Sequence, residues 1–303
     1  MNEYLIILIN GSGAPPLAHR RVADYYYGLV PDQCRTGVVW LSIGEAVELH
    51  IMVDETSEAE AIFEFTQKEF ANDKIDAALL PAQNRRKKLL VADMESTVIA
   101  EECLDELAAT AGIGKEIAAI TERAMRGELD FETALRKRVG LLRGMPVSGL
   151  ETLRNRLTLL PGAQTLVATM RAHGAYTALV SGGFTFFTEP VAARLGFQVQ
   201  FANRLGITDG KLDGTVADPI LGRAAKAELL AALARKHDLS LGQTLAVGDG
   251  ANDVEMVKHA GLGIGYRGKP LLASVAVANI CHADLTALLY LQGYKREEFV
   301  AAV

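Results

Sequence analysis

Cysteine is scarce in this chain: Cys34, Cys103 and Cys281 are all that 303 residues contain. They stand far apart and form no CxxC pair, which excludes a disulfide framework and suits a reducing compartment. Cys281-His282 is isolated and the remaining histidines are scattered, so no His/Cys metal site is encoded. Gly11-Ser12-Gly13 lacks the following GKS/T of a phosphate loop and reads as a flexible turn. The formal net charge is only −6 and no block of like charge reaches the length of a nucleic-acid or membrane tail, so neither partner is expected. No apolar run approaches the ~18 residues of a membrane helix. The apolar run at 5–9 is too short for a signal peptide and no basic segment precedes it, so a cytoplasmic protein is expected. Neither an internal repeat nor a low-complexity segment is found.

What is present is the material of a packed interior. Half of the residues are hydrophobic and 22% are charged, the profile of a globular protein with a full core. The length predicts one large domain or two modest ones. Residues 1–82 read as the smaller unit. Strand patterns fall at 4–9, 38–43, 46–53 and 75–80. Helices are expected at 17–28 and from 57 onward, where Ser57 is placed to cap through Glu60. Ala61, Ile62, Phe65 and Phe70 then form the apolar face. Gly44-Glu45 reads as a tight turn, and the order βαββαβ is the ferredoxin-like pattern. The polar stretch 81–86 reads as a linker.

The second unit, 88–303, opens with a short apolar run at 89–92. Three helical patterns follow, at about 101–111, 115–127 and 130–142. From Pro161 strands and helices alternate: helices at 163–173, 185–195, 223–237 and 252–260, strands at 176–180, 244–247 and, last, 262–264. A hairpin region turns at Asp209-Gly210. Such alternation predicts a parallel sheet with helices on both faces, whose ligands bind beyond the carboxyl ends of the strands.

Three of these strands run into polar clusters: Asp93-Met94-Glu95-Ser96-Thr97, Ser181-Gly182-Gly183, and Gly248-Asp249-Gly250-Ala251-Asn252-Asp253. If the strands are parallel neighbours, Asp93, Glu95, Asp249 and Asp253 meet at one edge of the sheet. Carboxylates so gathered repel one another unless a cation is bound, and an oxygen-only ligand set favours a hard ion such as Mg2+. Any one cluster alone reads as a turn or a helix cap. Their joint occurrence in this order argues for a site.

These residues resemble the haloacid dehalogenase-like phosphatases, and within them the branch that acts on phosphoserine. The likeness covers 88 to about 292, with Lys226 as a further motif. Leu135-Arg136-Lys137-Arg138-Val139 and Phe201-Ala202-Asn203-Arg204-Leu205 point to that branch. Residues 1–82 look like an ACT-type regulatory domain, which implies serine as an effector or a dimer-forming role. The resemblance implies an α/β, Rossmann-like parallel sheet with a helical cap insert at about 101–158. It implies Asp93 as nucleophile and metal ligand, Glu95 as general acid and base, and Ser181 with the amide of Gly182 as phosphoryl donors. Lys226 would neutralise charge, Asp249 would bind Mg2+, Asp253 would hold Lys226, and Asn252 would orient its loop. Glu95 stands where the family usually has Asp. The main-chain carbonyl that such a residue offers the metal is unchanged, but the carboxyl reaches one methylene further. Activity is expected to survive, and Glu95→Asp to match or exceed it.

On the cap, the resemblance implies Glu102 for a serine ammonium, Arg138 for its carboxylate, and Met125 and Phe131 as lining that excludes water. Plainer roles stand beside these: helix-dipole stabilisation for Glu102, a solvated face for Arg136–Arg138, core packing for Met125 and Phe131. Two other functions compete with hydrolysis of phosphoserine in serine biosynthesis. One is transfer of the phosphoryl group to another alcohol such as homoserine. The other is a non-catalytic amino-acid sensor.

Overall fold

The computed structural model describes residues 1–126 and 128–301, except for the side chain of Met125. The N-terminal part runs β1 (Asn2–Asn10), α1 (His19–Leu29), β2 (Arg35–Ser42), β3 (Ala46–Val53), α2 (Thr56–Glu69) and β4 (Ile75–Pro81). This is the expected βαββαβ order, folded as an antiparallel sheet β2-β3-β1-β4. β1 is apolar at every position from Leu5 to Ile9 because both of its faces are covered. Ile6 and Leu8 pack with Val22, Tyr26 and Ile62 of the two helices. Leu5, Ile7 and Ile9 face the other way, into a core shared with Leu285, Leu288 and Tyr290 of the C-terminal part.

Two expectations for α2 are corrected. Glu55, not Ser57, occupies the N-cap, without a side-chain cap bond; Ser57 lies in the first turn with its hydroxyl turned to Glu55 at 3.4 Å. The inward stripe runs Ala59, Ile62, Thr66 and Phe70, at helical spacing, so Ala61 falls outside it and Phe65 is 65% exposed.

The stretch after β4, expected as a plain linker, is pinned. Arg85 forms a largely buried ion pair with Glu48 of β3. The same guanidinium donates to the carbonyls of Tyr290 (3.1 Å) and Leu291 (3.3 Å). Asp76 of β4, 4% exposed, accepts from the backbone N–H of Cys281, His282 and Ala283 at 2.8–3.2 Å. A carboxylate that satisfies three amides across the seam fixes one part against the other.

The C-terminal part begins with β5 (Leu89–Ala92), followed by α3 (Cys103–Thr110), α4 (Gly114–Met125), α5 (Phe131–Leu141) and α6 (Val147–Arg156). α6 was not expected from the sequence. Next come α7 (Ala163–Ala172), β6 (Tyr176–Phe184), α8 (Thr185–Leu195) and β7 (Val199–Asn203). The hairpin β8 (Leu205–Thr208) and β9 (Lys211–Val216) turns at Asp209-Gly210, both with positive φ, as the sequence predicts. The chain ends with α9 (Arg223–Lys236), β10 (Thr244–Gly248), α10 (Val254–His259), β11 (Leu262–Tyr266), α11 (Pro270–Ala273), β12 (Ala278–Ile280) and α12 (Ala287–Leu291). β11 is therefore not the last strand: β12 pairs outside it. Three residues with one apolar alternation carry too little signal to be read as a strand.

The six strands form one parallel sheet, β12-β11-β10-β5-β6-β7. β5 is central and wholly buried, with helices on both sides. The chain leaves it toward β6 on one flank and returns through β10 on the other, so a crevice opens at their carboxyl ends. Helices α3–α6 are inserted between β5 and α7. α5 lies on the β8–β9 hairpin, where Arg136 bonds the Val216 carbonyl at 3.0 Å. No helix among the described residues is long and apolar enough to cross a membrane.

Candidate active site

Strand register brings the predicted clusters together. Ala92 lies opposite Leu179 on one side and Val247 on the other. Asp93, Ser181 (two residues further along β6) and the Gly248–Asp253 loop therefore lie side by side at this edge of the sheet. Asp93 is fixed at both carboxylate oxygens. Oδ1 accepts from Met94 N at 2.7 Å. Oδ2 faces Lys226 Nζ at 2.8 Å and accepts from Asn252 Nδ2 at 3.2 Å. Lys226, 1% exposed on α9, also donates to Asp253 Oδ1 at 2.6 Å. The other Asp253 oxygen accepts the backbone N–H of Asp249 and Gly250 at 3.2 and 3.1 Å. Asp253 is thus saturated, and it closes its own loop. Gly248 is required there, because a Cβ would run into the Asp253 carboxylate.

Asp93, Asp249 and Asp253 each bring an oxygen within 4.8 Å of the others, all three buried. Burial disfavours the charge of Lys226, but Asp93 and Asp253 outweigh it and hold the ammonium protonated. Burial and the Asp253 charge push Asp93 well above the usual carboxylate range, against the pull of Lys226. A bound cation would act with Lys226. The donor set fits one: buried carboxylates, an excess of negative charge, and oxygen atoms only.

Glu95 sits at the start of the cap. Its Oε1 accepts the N–H of Cys103, at the first residue of α3, at 2.9 Å. A Cβ at Gly183 would lie 3.1 Å from Ser181 Oγ and 3.2 Å from both Glu95 oxygens, so the glycine admits the Glu95 carboxyl beside the Ser181 hydroxyl. Burial, then the charge of Glu102, raises Glu95 from 4.5 to about 7. The Cys103 thiol is pushed upward by burial and by Glu95, which leaves it inert.

The cap residues fall at the mouth. Ser96, at a left-handed φ of +54°, turns the chain after Glu95, and its hydroxyl donates to Glu102 Oε1 at 2.8 Å. Glu102 is the N-cap of α3 yet makes no cap bond, so its side chain is directed elsewhere than the helix end. Phe131 lies over the cleft: a Cβ at Gly182 or Gly222 would meet its ring at 3.5 or 3.3 Å. Arg136 is consumed by Glu132 and Asp218. Arg138 differs: its Nε is buried with no hydrogen-bond partner among the described residues, and no ion pair is found for it there. Burial lowers its proton affinity, while Asp105, Glu95 and Glu102 act in the opposite direction. The side chain of Met125 lies outside the described residues.

Sequence reasoning missed Lys269, whose Nζ pairs with Asp249 Oδ2 at 2.9 Å while its N–H donates to the Asp249 carbonyl at 2.8 Å. Its signal was positional: it follows β11, whose carboxyl end shares the edge of the site.

A parallel sheet with this acid–lysine constellation at its switch point and a helical insert after the first strand defines a class. The chain belongs to the haloacid dehalogenase-like hydrolases, whose family model matches residues 90–258. Among its relatives, the phosphoserine phosphatase of Mycobacterium tuberculosis is 44% identical over 218 residues, 72% of this chain and 53% of that protein. A probable phosphoserine phosphatase from Vibrio cholerae, solved unliganded, superposes with a TM-score of 0.75 at 33% identity, covering 98% of this chain and 88% of that one. A phosphoserine phosphatase solved as a phospho-aspartyl intermediate analogue gives 0.63 at 41%, covering 68% and 98%. Against several of its curated relatives the match spans only 53–65% of their length.

Proposed function

We propose that this chain hydrolyses O-phosphoserine to serine and phosphate through an aspartyl-phosphate on Asp93. The observation that carries the substrate is Arg138, a half-buried guanidinium on the cap whose Nε has no hydrogen-bond partner among the described residues. A buried N–H without a partner is costly, which favours an anion there, and a guanidinium fits a carboxylate through paired hydrogen bonds. Glu102 supplies the opposite charge for an ammonium. Together they read the two ends of an amino acid whose phosphate lies deeper.

Asp93 attacks phosphorus, and the bond to the serine oxygen breaks. Glu95 gives its proton to that oxygen, then takes one from the water that cleaves the acyl phosphate. A carboxyl near 7 can do both at neutral pH. Lys226 and Ser181 stabilise the charge on the phosphoryl oxygens, and Phe131 excludes bulk water. Asp93, Asp249 and the Glu95 carbonyl would hold Mg2+, with Asp253 behind them. When bound, the ion supplies positive charge against the phosphoryl oxygens.

The reading is supported by the names of its relatives and by the solved intermediate analogue. The test is phosphate release from a panel of small phosphomonoesters, with Mg2+ and with EDTA, and with homoserine added. Phosphoserine is expected to be the best substrate, EDTA to stop release, homoserine to accept nothing, and Asp93→Asn to be inactive. No preference for phosphoserine, or phosphohomoserine as the product, would overturn it.

A further inference from the structure

The segment Phe201–Leu205 carries a buried asparagine to which the mechanism above gives no part. Asn203 ends β7 and is 2% exposed. Every polar atom of its carboxamide is engaged. Nδ2 donates to the carbonyl of Gly182 at 2.8 Å and of Leu221 at 3.3 Å. Oδ1 accepts the N–H of Leu221 at 2.7 Å. The opposite amide orientation would set Oδ1 against two carbonyls, so the assignment is fixed by its partners.

The Gly182 carbonyl belongs to the same peptide unit as the N–H of Gly183, and that N–H donates to Ser181 Oγ at 2.9 Å. A trans peptide points its oxygen and its hydrogen in opposite directions. Drawing the oxygen toward Asn203 therefore aims the hydrogen at the Ser181 hydroxyl. With a lone pair so occupied, Ser181 keeps its own proton free to donate into the cleft. The Leu221 bonds tie the same carboxamide to the loop that leads into α9, five residues before the buried Lys226. Phe131 rests on glycines of both tied segments, Gly182 and Gly222.

We propose that Asn203 is a positioning residue of the phosphoryl site, acting through the 182–183 peptide on the hydroxyl of Ser181 and holding that peptide against the loop before Lys226. The proposal rests on the phosphatase reading. It concerns the phosphoryl end of the substrate, so it acts on any phosphomonoester, unlike Arg138.

The test is a double-mutant cycle of Asn203→Asp and Ser181→Ala, with kcat, KM and thermal stability measured on phosphoserine and on p-nitrophenyl phosphate. The aspartate keeps an acceptor for Leu221 N–H and loses both donors. Its kcat is expected to fall roughly tenfold or more on both substrates, with KM for phosphoserine within about threefold. On the Ser181→Ala background the further loss should be below about twofold, because the two residues act as one unit. A merely structural residue would lower the melting temperature and give equal losses in both backgrounds. That result, or activity within about twofold of the parent, overturns the proposal. Should Asn203→Asp fail to fold, Asn203→Ser carries the same cycle. An inactive parent would remove the phosphatase reading and this one with it; an active parent with additive losses removes only this one.

Discussion

Replacing Glu95 by glutamine should make the metal-free protein more stable at alkaline pH than the parent. In the folded chain burial and the neighbouring Glu102 charge raise the Glu95 carboxyl from its ordinary 4.5 to about 7. Between those two values the folded state holds a proton that the unfolded state has released, so stability is full below the lower value, falls as pH rises through the window, and levels off above about 7. Taken without discount, the shift corresponds to about 3 kcal/mol. Glu95 is partly exposed, and solvent screening reduces the expected effect to about 1–2 kcal/mol. Glutamine has nearly the same shape, keeps an oxygen for the Cys103 N–H, and carries no charge. Melting temperatures of both proteins across pH 4.5 to 8, in EDTA, isolate the difference. The variant should melt a few degrees higher at the top of the range and together with the parent at the bottom. Parallel curves, or a variant less stable at pH 8, would refute the account of Glu95 as a carboxyl held against its charge. The same variant, loaded with Mg2+ and p-nitrophenyl phosphate, whose leaving group needs no proton from Glu95, should accumulate phosphoenzyme, since the base for water is gone.

Arg138→Ala should lower kcat/KM for phosphoserine by roughly 10- to 100-fold and leave p-nitrophenyl phosphate within about threefold, since only the former carries a carboxylate; equal losses would remove that role. Lys269→Met should tighten Mg2+ binding by roughly tenfold in calorimetric titration, because the ammonium now paired with Asp249 competes for the same oxygen. The same variant should melt lower in EDTA, and unchanged or weaker binding would show that Lys269 does not occupy the cation's place. Asp76→Ala strips the acceptor from three backbone N–H groups and should cost about 2–4 kcal/mol in thermal unfolding; a loss within about 0.5 kcal/mol would mean that water replaces the carboxylate.

Much of the site was legible because its parts are local. Asp93, Ser181 and Asp249 each follow an apolar strand directly, and strand ends in parallel sheets share an edge. The βαββαβ order was legible for a similar reason, since Gly44 and the flanking runs mark one hairpin plainly. The errors lay where short-range pattern competes with packing. Ser57 has the composition of a cap, yet the backbone starts the helix two residues earlier. Phe65 is apolar, but the helix phase that buries Ile62 and Phe70 turns it outward. β12 has three residues, too few for a period.

The order of strands and helices, the acidic clusters and their separation along the chain were therefore properties of the sequence itself, since they depend on side-chain type and spacing alone. Tertiary structure decided which charges are spent and which are free. Arg136 and Arg138 are two residues apart and chemically identical, yet one is consumed by Glu132 and Asp218 while the other keeps a buried Nε without a partner among the described residues. Lys269 and Asn203 gained their places only when distant strands paired. Burial and pairing are set by neighbours that the chain supplies from far away, and no local pattern encodes them.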